Sequence, residues 1–398
     1  MTTQTFQYRG YGIAGTLLAF VASFCLFAGL LFAPVLSDLH NHIRYVVMIH
    51  NDVIGPPANF LYYLIIYAGA LSRGDWPSLL WAAAWTLSAC VAAKYALTYA
   101  ILSGRWRAGP SSAAERAPCA ASPLLASGFA CALLLAFSLP TAAALEGRWY
   151  LGQIPPNVWH NSTTIFLMPF AVALFWVSHR NLREPTLRRS VVIAALCIGN
   201  VLAKPSFFFA FAPIYPVMLA ARHGLGRRFW LHLWPVALGL ACVGAQYYLL
   251  YTLQIGNTFG GESQIVIRPF EAWSLHSSNI PISVAASVLC PLAYFALFFK
   301  EARRDPLLRY AALLFLISLT IMSLVSETGP RQHHGNFFWQ AYVCNYLLFT
   351  SVVLRLLQRP GVEGRADARR RVVLAAFGLH VMSGIAYIAK IFLSGSIA

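Results

Sequence analysis

The chain has 398 residues, of which 59% are hydrophobic and only 11% charged, and its 29 Lys and Arg outnumber 13 Asp and Glu to give a formal charge of +16. Apolar runs near the roughly 20 residues that cross about 30 Å of hydrocarbon recur from end to end, with no polar stretch long enough for a separate soluble domain. A soluble globule, a coiled coil and a disordered chain are excluded on these grounds, and continuously apolar rather than alternating runs point to helices instead of a transmembrane barrel.

The expected fold is therefore all-α, a single polytopic membrane domain over residues 1–398. In chain order, the first span is 12–36, longer and less cleavable than a secretory signal, so it is kept as a helix. A polar-to-mixed stretch, 37–77, follows and contains an apolar segment, 58–71, too short to cross comfortably; it is expected to be an interfacial helix in the first extracytoplasmic loop. Further spans are expected at 78–102, 123–145, 163–177, 190–203, 206–221, 230–253, 281–299, 310–324, 337–354 and 372–393, about eleven in all. With the amino terminus in the cytoplasm, this threading puts 21 of the 29 Lys and Arg on the cytoplasmic side, five outside and three within spans, as the positive-inside rule requires. The positive charge is accordingly topological, and nucleic acid is not an expected partner.

Seven of the 13 acidic residues and seven of the 11 histidines fall on the other face, where chemistry is to be sought. The cytoplasmic loops carry no Walker loop and no glycine-rich nucleotide fingerprint. Eight cysteines are scattered singly, without a disulfide framework or metal spacing. No cofactor or metal is expected.

Five polar stretches stand out. In 37–45 (SDLHNHIRY), Asp38 and His42 share a helix face at i, i+4 spacing; Asp38 suits a general base and equally suits the start of a helix. Asp52, ahead of Gly55-Pro56-Pro57, is a reserve carboxylate that also reads as a turn residue. Lys204, followed by Pro205 between two short apolar runs, is an expensive intramembrane cation suited to an anionic group, unless it snorkels to the surface. The loop 325–338 packs Glu327, Arg331, His333, His334 and Asn336 ahead of Trp339, the densest polar cluster in the chain. Arg331 there offers a planar donor fork for phosphate oxygens. Finally, Trp159, His160 and Asn161 are suited to stacking on and hydrogen bonding to a sugar, and 254–279, with Arg268, is long enough to cover a site.

The order of a first span, Asp38, His42 four residues later, a Gly-Pro-Pro turn and an aromatic-rich helix (Phe60, Tyr62, Tyr63) resembles the first extracytoplasmic loop of GT-C membrane glycosyltransferases, among them protein mannosyltransferases and the lipid A aminoarabinose transferase. The motif covers roughly the first hundred residues, and the rest is similar in topology. The resemblance implies transfer of a sugar from a polyprenyl-phosphate donor to a glycan or glycolipid acceptor at the outer face, with the first-loop carboxylate, here Asp38, as base and basic residues such as Lys204 on the donor phosphate. Many members carry two adjacent acidic residues in that loop, whereas Leu39 follows Asp38 here. Arg and Ala usage of bacterial type places such an enzyme in the inner membrane with its site facing the periplasm. An O-antigen ligase or polymerase centred on Arg331 and His333, and a transporter or flippase for lipid-linked saccharides, are the alternatives.

Overall fold

A computed structural model describes residues 3–33, 35, 37–104, 122–142, 144, 149–150, 152–253, 255, 264–329, 332, 335–359 and 365–397. The chain is a nearly all-α polytopic helical protein. Its helices are α1 (Thr3–Phe32), α2 (Asp38–His50), α3 (Leu61–Gly69), α4 (Trp76–Leu102), α5 (Pro123–Leu135), α6 (Ser162–Arg183), α7 (Leu187–Ala203), α8 (Ser206–His223), α9 (Arg227–Tyr247), α10 (Glu271–Ser274), α11 (Ile280–Ser287), α12 (Leu289–Leu297), α13 (Phe299–Ala302), α14 (Pro306–Leu324), α15 (Trp339–Gln358) and α16 (Arg365–Ser394). Residues Ile265–Ile267 (β1) and Val325–Glu327 (β2) form an antiparallel pair in which Ile265 faces Glu327.

Among the described residues seven helices are long and apolar enough to cross a membrane, namely α1, α4, α6, α9, α14, α15 and α16; the α11–α12 pair makes an eighth if its 76° bend interrupts one span. This is fewer than the eleven expected, for local reasons. Helix α7 has 17 residues and α8 has 18 with prolines at 213 and 216. Helix α5 stops after 13 residues at Leu135, although apolar sequence continues to Leu145. The segment 58–71 does form a short helix, α3, of nine residues; at about 1.5 Å per residue it is far too short to cross.

The early end of α5 shapes the middle of the molecule. Residues 136–140 are not helical, and the chain returns through 152–161 to start α6. Backbone groups freed inside an apolar bundle must find partners in the protein, because lipid offers none. Phe137 N donates to His380 O at 3.0 Å, and Leu139 N donates to Ala286 O at 3.0 Å. Ser383 Oγ donates to Ser138 O at 2.5 Å, and a ring nitrogen of His380 lies 2.6 Å from Phe137 O. The returning limb is held the same way: Asn345 Nδ2 on α15 donates to Ile154 O at 2.6 Å and to Ser287 O at 3.2 Å, and Trp273 Nε1 donates to Gly152 O at 2.8 Å.

Helix α15 is the centre of the bundle, buried from Trp339 through Leu354, and it packs against α4, α5, α6, α8, α12 and α14. Helix α16 passes so close to the broken end of α5 that a Cβ on Gly384 would lie 1.7 Å from Leu135 O, whereas one on Gly378, two turns earlier, meets nothing within 4 Å. Gly384→Ala should therefore lower the unfolding midpoint, by the equivalent of about 1–3 kcal/mol of overpacking, while Gly378→Ala leaves it unchanged or higher; a thermal unfolding scan of the two purified variants checks this.

Candidate functional site

Five of the residues singled out above, Asp38, His42, His160, Asn161 and Lys204, gather where α2 begins, α6 begins and α7 ends. Ser37 is the N-cap of α2, so Asp38 occupies its first turn, half-buried, where the partial positive charge of the helix end favours a carboxylate. One turn on, His42 Nδ1 lies 2.8 Å from the Tyr63 hydroxyl of α3. Burial, and then the nearby Lys204, push His42 down to about 4 against the opposing pull of Asp38, so its ring is neutral at pH 7.

Asn161 joins the parts. As N-cap of α6 its Oδ1 accepts from Thr164 N at 3.1 Å, Thr164 Oγ1 at 2.7 Å and Thr163 Oγ1 at 3.2 Å. That fixes which way the amide faces, and its Nδ2 is directed at Asp38 Oδ2, 3.5 Å away. The contact is long for a hydrogen bond and holds the carboxylate only loosely. The motif Asn161-Ser162-Thr163, which matches a glycosylation acceptor, is thus a buried helix cap.

From the other side comes Lys204, the residue after α7, which Pro205 prevents from continuing the helix. Its Nζ donates to Asn161 Oδ1 at 3.0 Å and to Thr164 Oγ1 at 2.9 Å and lies 4.2 Å from the centroid of the Trp339 ring. Desolvation brings its pKa from the ordinary 10.5 to about 7, while Asp38 pulls the other way. The amine is positioned by residues with no signal of their own in the sequence. Gln246 Nε2 donates to Ala58 O and Val201 O, both at 2.9 Å, and Asn59 Nδ2 donates to Ala203 O at 3.4 Å, so the Gly-Pro-Pro turn is tied to the end of α7.

His160 completes the cluster. It is fully buried with its ring 4.2 Å from that of Tyr150 and 6.5 Å from that of Trp339, and neither ring nitrogen has a hydrogen-bond partner among the described residues. Burial lowers its pKa to about 4, with Asp38 opposing and Lys204 reinforcing. The two ring nitrogens, beside a carboxylate and an amine, can offer hydrogen bonds to a polar molecule.

Other expected residues lie elsewhere. Asp52 is exposed, at φ 55° in the turn that ends α2, roughly 20 Å along the helix from Asp38 at about 1.5 Å per residue; it is a turn residue and no member of the cluster. Trp159 is buried, stacked 5.6 Å from Phe137, and faces an apolar cavity. Arg268 is exposed and pairs with Glu271 at 2.9 Å. Glu327 is buried on β2 and accepts from Asn336. Arg331, His333 and His334 fall outside the described residues. Among the described residues no three His, Cys, Asp or Glu side chains come together as metal ligands. Thr164, which holds Lys204, also contributes to the wall of the apolar cavity of about 420 Å³ between α1, α4, α5 and α6.

The chain matches no protein-family model and no curated protein.

The position of Lys204 predicts a pH dependence. Between about pH 7 and 10 the unfolded chain keeps this proton and the folded chain does not, so stability rises with pH across that window. Lys204→Met should flatten the rise, and Asp38→Asn, which removes the charge favouring the ammonium, should make it begin at lower pH. Unfolding midpoints measured across the window for the three proteins check both expectations.

Proposed function

We propose that this protein is a membrane glycosyltransferase that moves a sugar from a polyprenyl-phosphate donor to a hydroxyl of a glycan or glycolipid acceptor, in the manner of the GT-C enzymes. One observation carries this reading: Asp38 and Lys204, far apart in sequence, meet on opposite sides of the same Asn161 amide. A half-exposed carboxylate facing a desolvated amine provides one group to take a proton and one to receive an anion. In the reaction Asp38 removes the acceptor hydroxyl proton as that oxygen attacks the anomeric carbon. The bond from the anomeric carbon to the phosphate oxygen breaks, its electron pair leaves with the polyprenyl phosphate, and the anomeric configuration inverts.

Lys204 stabilises the departing phosphate. A group near half-protonation at pH 7 becomes fully charged when a phosphate arrives, and an ammonium so held is worth several kcal/mol in a water-poor site. Neither ring nitrogen of His160 has a partner among the described residues, so both can meet sugar hydroxyls, and His42, whose Nδ1 is taken up by the Tyr63 hydroxyl, leaves the Asp38 carboxylate as the base. Neither a cofactor nor a metal takes part in any step described.

Helix polarity supports an outward-facing site. The ends opposite Asp38 carry the arginines: Arg180 and Arg183 close α6, Arg188 and Arg189 open α7, Arg222 closes α8, and Arg355 lies in the last turn of α15. By the positive-inside rule that end is cytoplasmic, so the cluster faces the periplasm of a bacterial inner membrane. The eleven-span threading follows if α5, α7, α8 and the bent α11–α12 pair also traverse.

The test is complementation in cells lacking the gene, with mass spectrometry of their lipid-linked glycans. Loss of the gene should cause a monosaccharide-charged polyprenyl phosphate to accumulate, and wild-type protein should clear it. Asp38→Asn, expressed and folded, should fail to do so, with turnover down by about 100- to 10,000-fold. Normal turnover by Asp38→Asn, or accumulation of finished oligosaccharide units instead, contradicts the reading.

A further inference from the structure

Inside the bundle lies a second amine that the proposed reaction does not use. Lys94 is on α4, 18 residues from the Trp76 end and eight from Leu102, so roughly 27 Å and 12 Å from the two ends at about 1.5 Å per residue. It is buried, its Nζ donates to Asn157 Oδ1 at 2.6 Å, and the Tyr346 ring centroid lies 3.6 Å away. Asn157 cannot turn away, because its Nδ2 donates to Leu133 O at 2.8 Å and to Ala136 O at 2.7 Å at the broken end of α5. The Asn157 carbonyl is therefore a fixed acceptor that draws the amine to one spot. An ammonium has three donors and the asparagine accepts one of them.

That spot is the wall of the 420 Å³ cavity, a size within the range of small-molecule sites, and no carboxylate is among the residues lining it. The remaining lining is overwhelmingly apolar, with leucines of α1 and α5, Ile165, Met168 and Val343 prominent. Its polar members are largely committed: Ser23 Oγ bonds to Ala19 O of its own helix, and Thr164 bonds to Asn161. On the α1 side the lining residues Leu18 and Ala22 are exposed on the outer surface of the helix, which in a membrane faces lipid.

We infer that this cavity is a binding site for a single-chain amphiphile with a carboxylate head, a long-chain fatty acid, whose head pairs with Lys94 and whose tail lies along the apolar wall toward α1. The charge argues for it, since a carboxylate beside the amine is the counter-ion its ammonium form needs in so apolar a wall, and one monoanion cancels one cation. A phosphate dianion would leave a net buried charge, and phosphate sites usually recruit the guanidinium fork that this cavity lacks. The site shares the Thr164 wall with the Asp38 cluster but does not use Asp38 or Lys204, and it does not need the transferase reading to hold.

Purified full-length protein in detergent, titrated with radiolabelled palmitate, tests it. One palmitate should bind saturably per chain, and methyl palmitate, which lacks the charge, should not compete. Lys94→Met should weaken binding at least about tenfold. Ala22→Trp, which fills the mouth from the lipid-facing side of α1 and leaves Lys94 in place, should do likewise, whereas Asp38→Asn should bind as the wild type does. The inference is overturned if no saturable palmitate site exists, if methyl palmitate or a polyprenyl phosphate displaces the label as well as palmitate itself, or if folded Lys94→Met and Ala22→Trp both bind with unchanged affinity.

Discussion

Inside an apolar helical bundle a polypeptide cannot leave its backbone hydrogen-bonding groups unpaired, and this protein breaks a helix there nonetheless. Everything that distinguishes it follows from how the break after Leu135 is answered. Asn157 donates to the two carbonyls at the end of α5, and His380 and Ser383 of α16 bind the next two. Each such bond would cost several kcal/mol to leave unmade in lipid, so these three side chains allow a non-helical limb where a helix would otherwise be obligatory. The limb then delivers His160 and Asn161 to the start of α6, at the end of the bundle where α2 and Lys204 meet it.

The N-cap of α6 is therefore more than the start of a helix. Its demand for an acceptor turns Asn161 Oδ1 inward to Thr164, and the other half of the amide is left for Asp38. Lys204 joins the same oxygen. The result is a carboxylate and an amine held near each other by a neutral hinge, without the direct salt bridge that would neutralise both and leave neither available to a substrate. Because the surroundings are poor in water, the charges act on one another and on a bound molecule more strongly than they would in solvent.

Much of this was legible because charges are so scarce in the chain. Asp38 follows the first apolar run and Lys204 interrupts another, and both stand out against a background that is 11% charged. The helix breaks were harder to read. The run 123–145 is apolar throughout, and only Pro140 hints that it does not continue as a helix; Pro291 hints at the bend beside Val288 in the same way. Strand β2 is three residues long and pairs with a segment some sixty positions away, which no local periodicity reveals. Gln246 and Asn59 hold the site through backbone carbonyls, and an amide side chain carries no sign in the sequence of which carbonyl it will meet. Nothing beside Lys94 in the sequence marks it for a related reason: the break it serves lies in α5, not in its own helix.

The central claim is that the Asp38–Asn161–Lys204 cluster receives a lipid-linked sugar phosphate. The most direct measurement is an experimental structure of the protein with a non-transferable polyprenyl-phosphate sugar. The account predicts phosphate density within hydrogen-bonding distance of Lys204 Nζ and the sugar between it and the Asp38 carboxylate. Phosphate bound at the arginine-rich end of the bundle, or a sugar with no approach to Asp38, would contradict it.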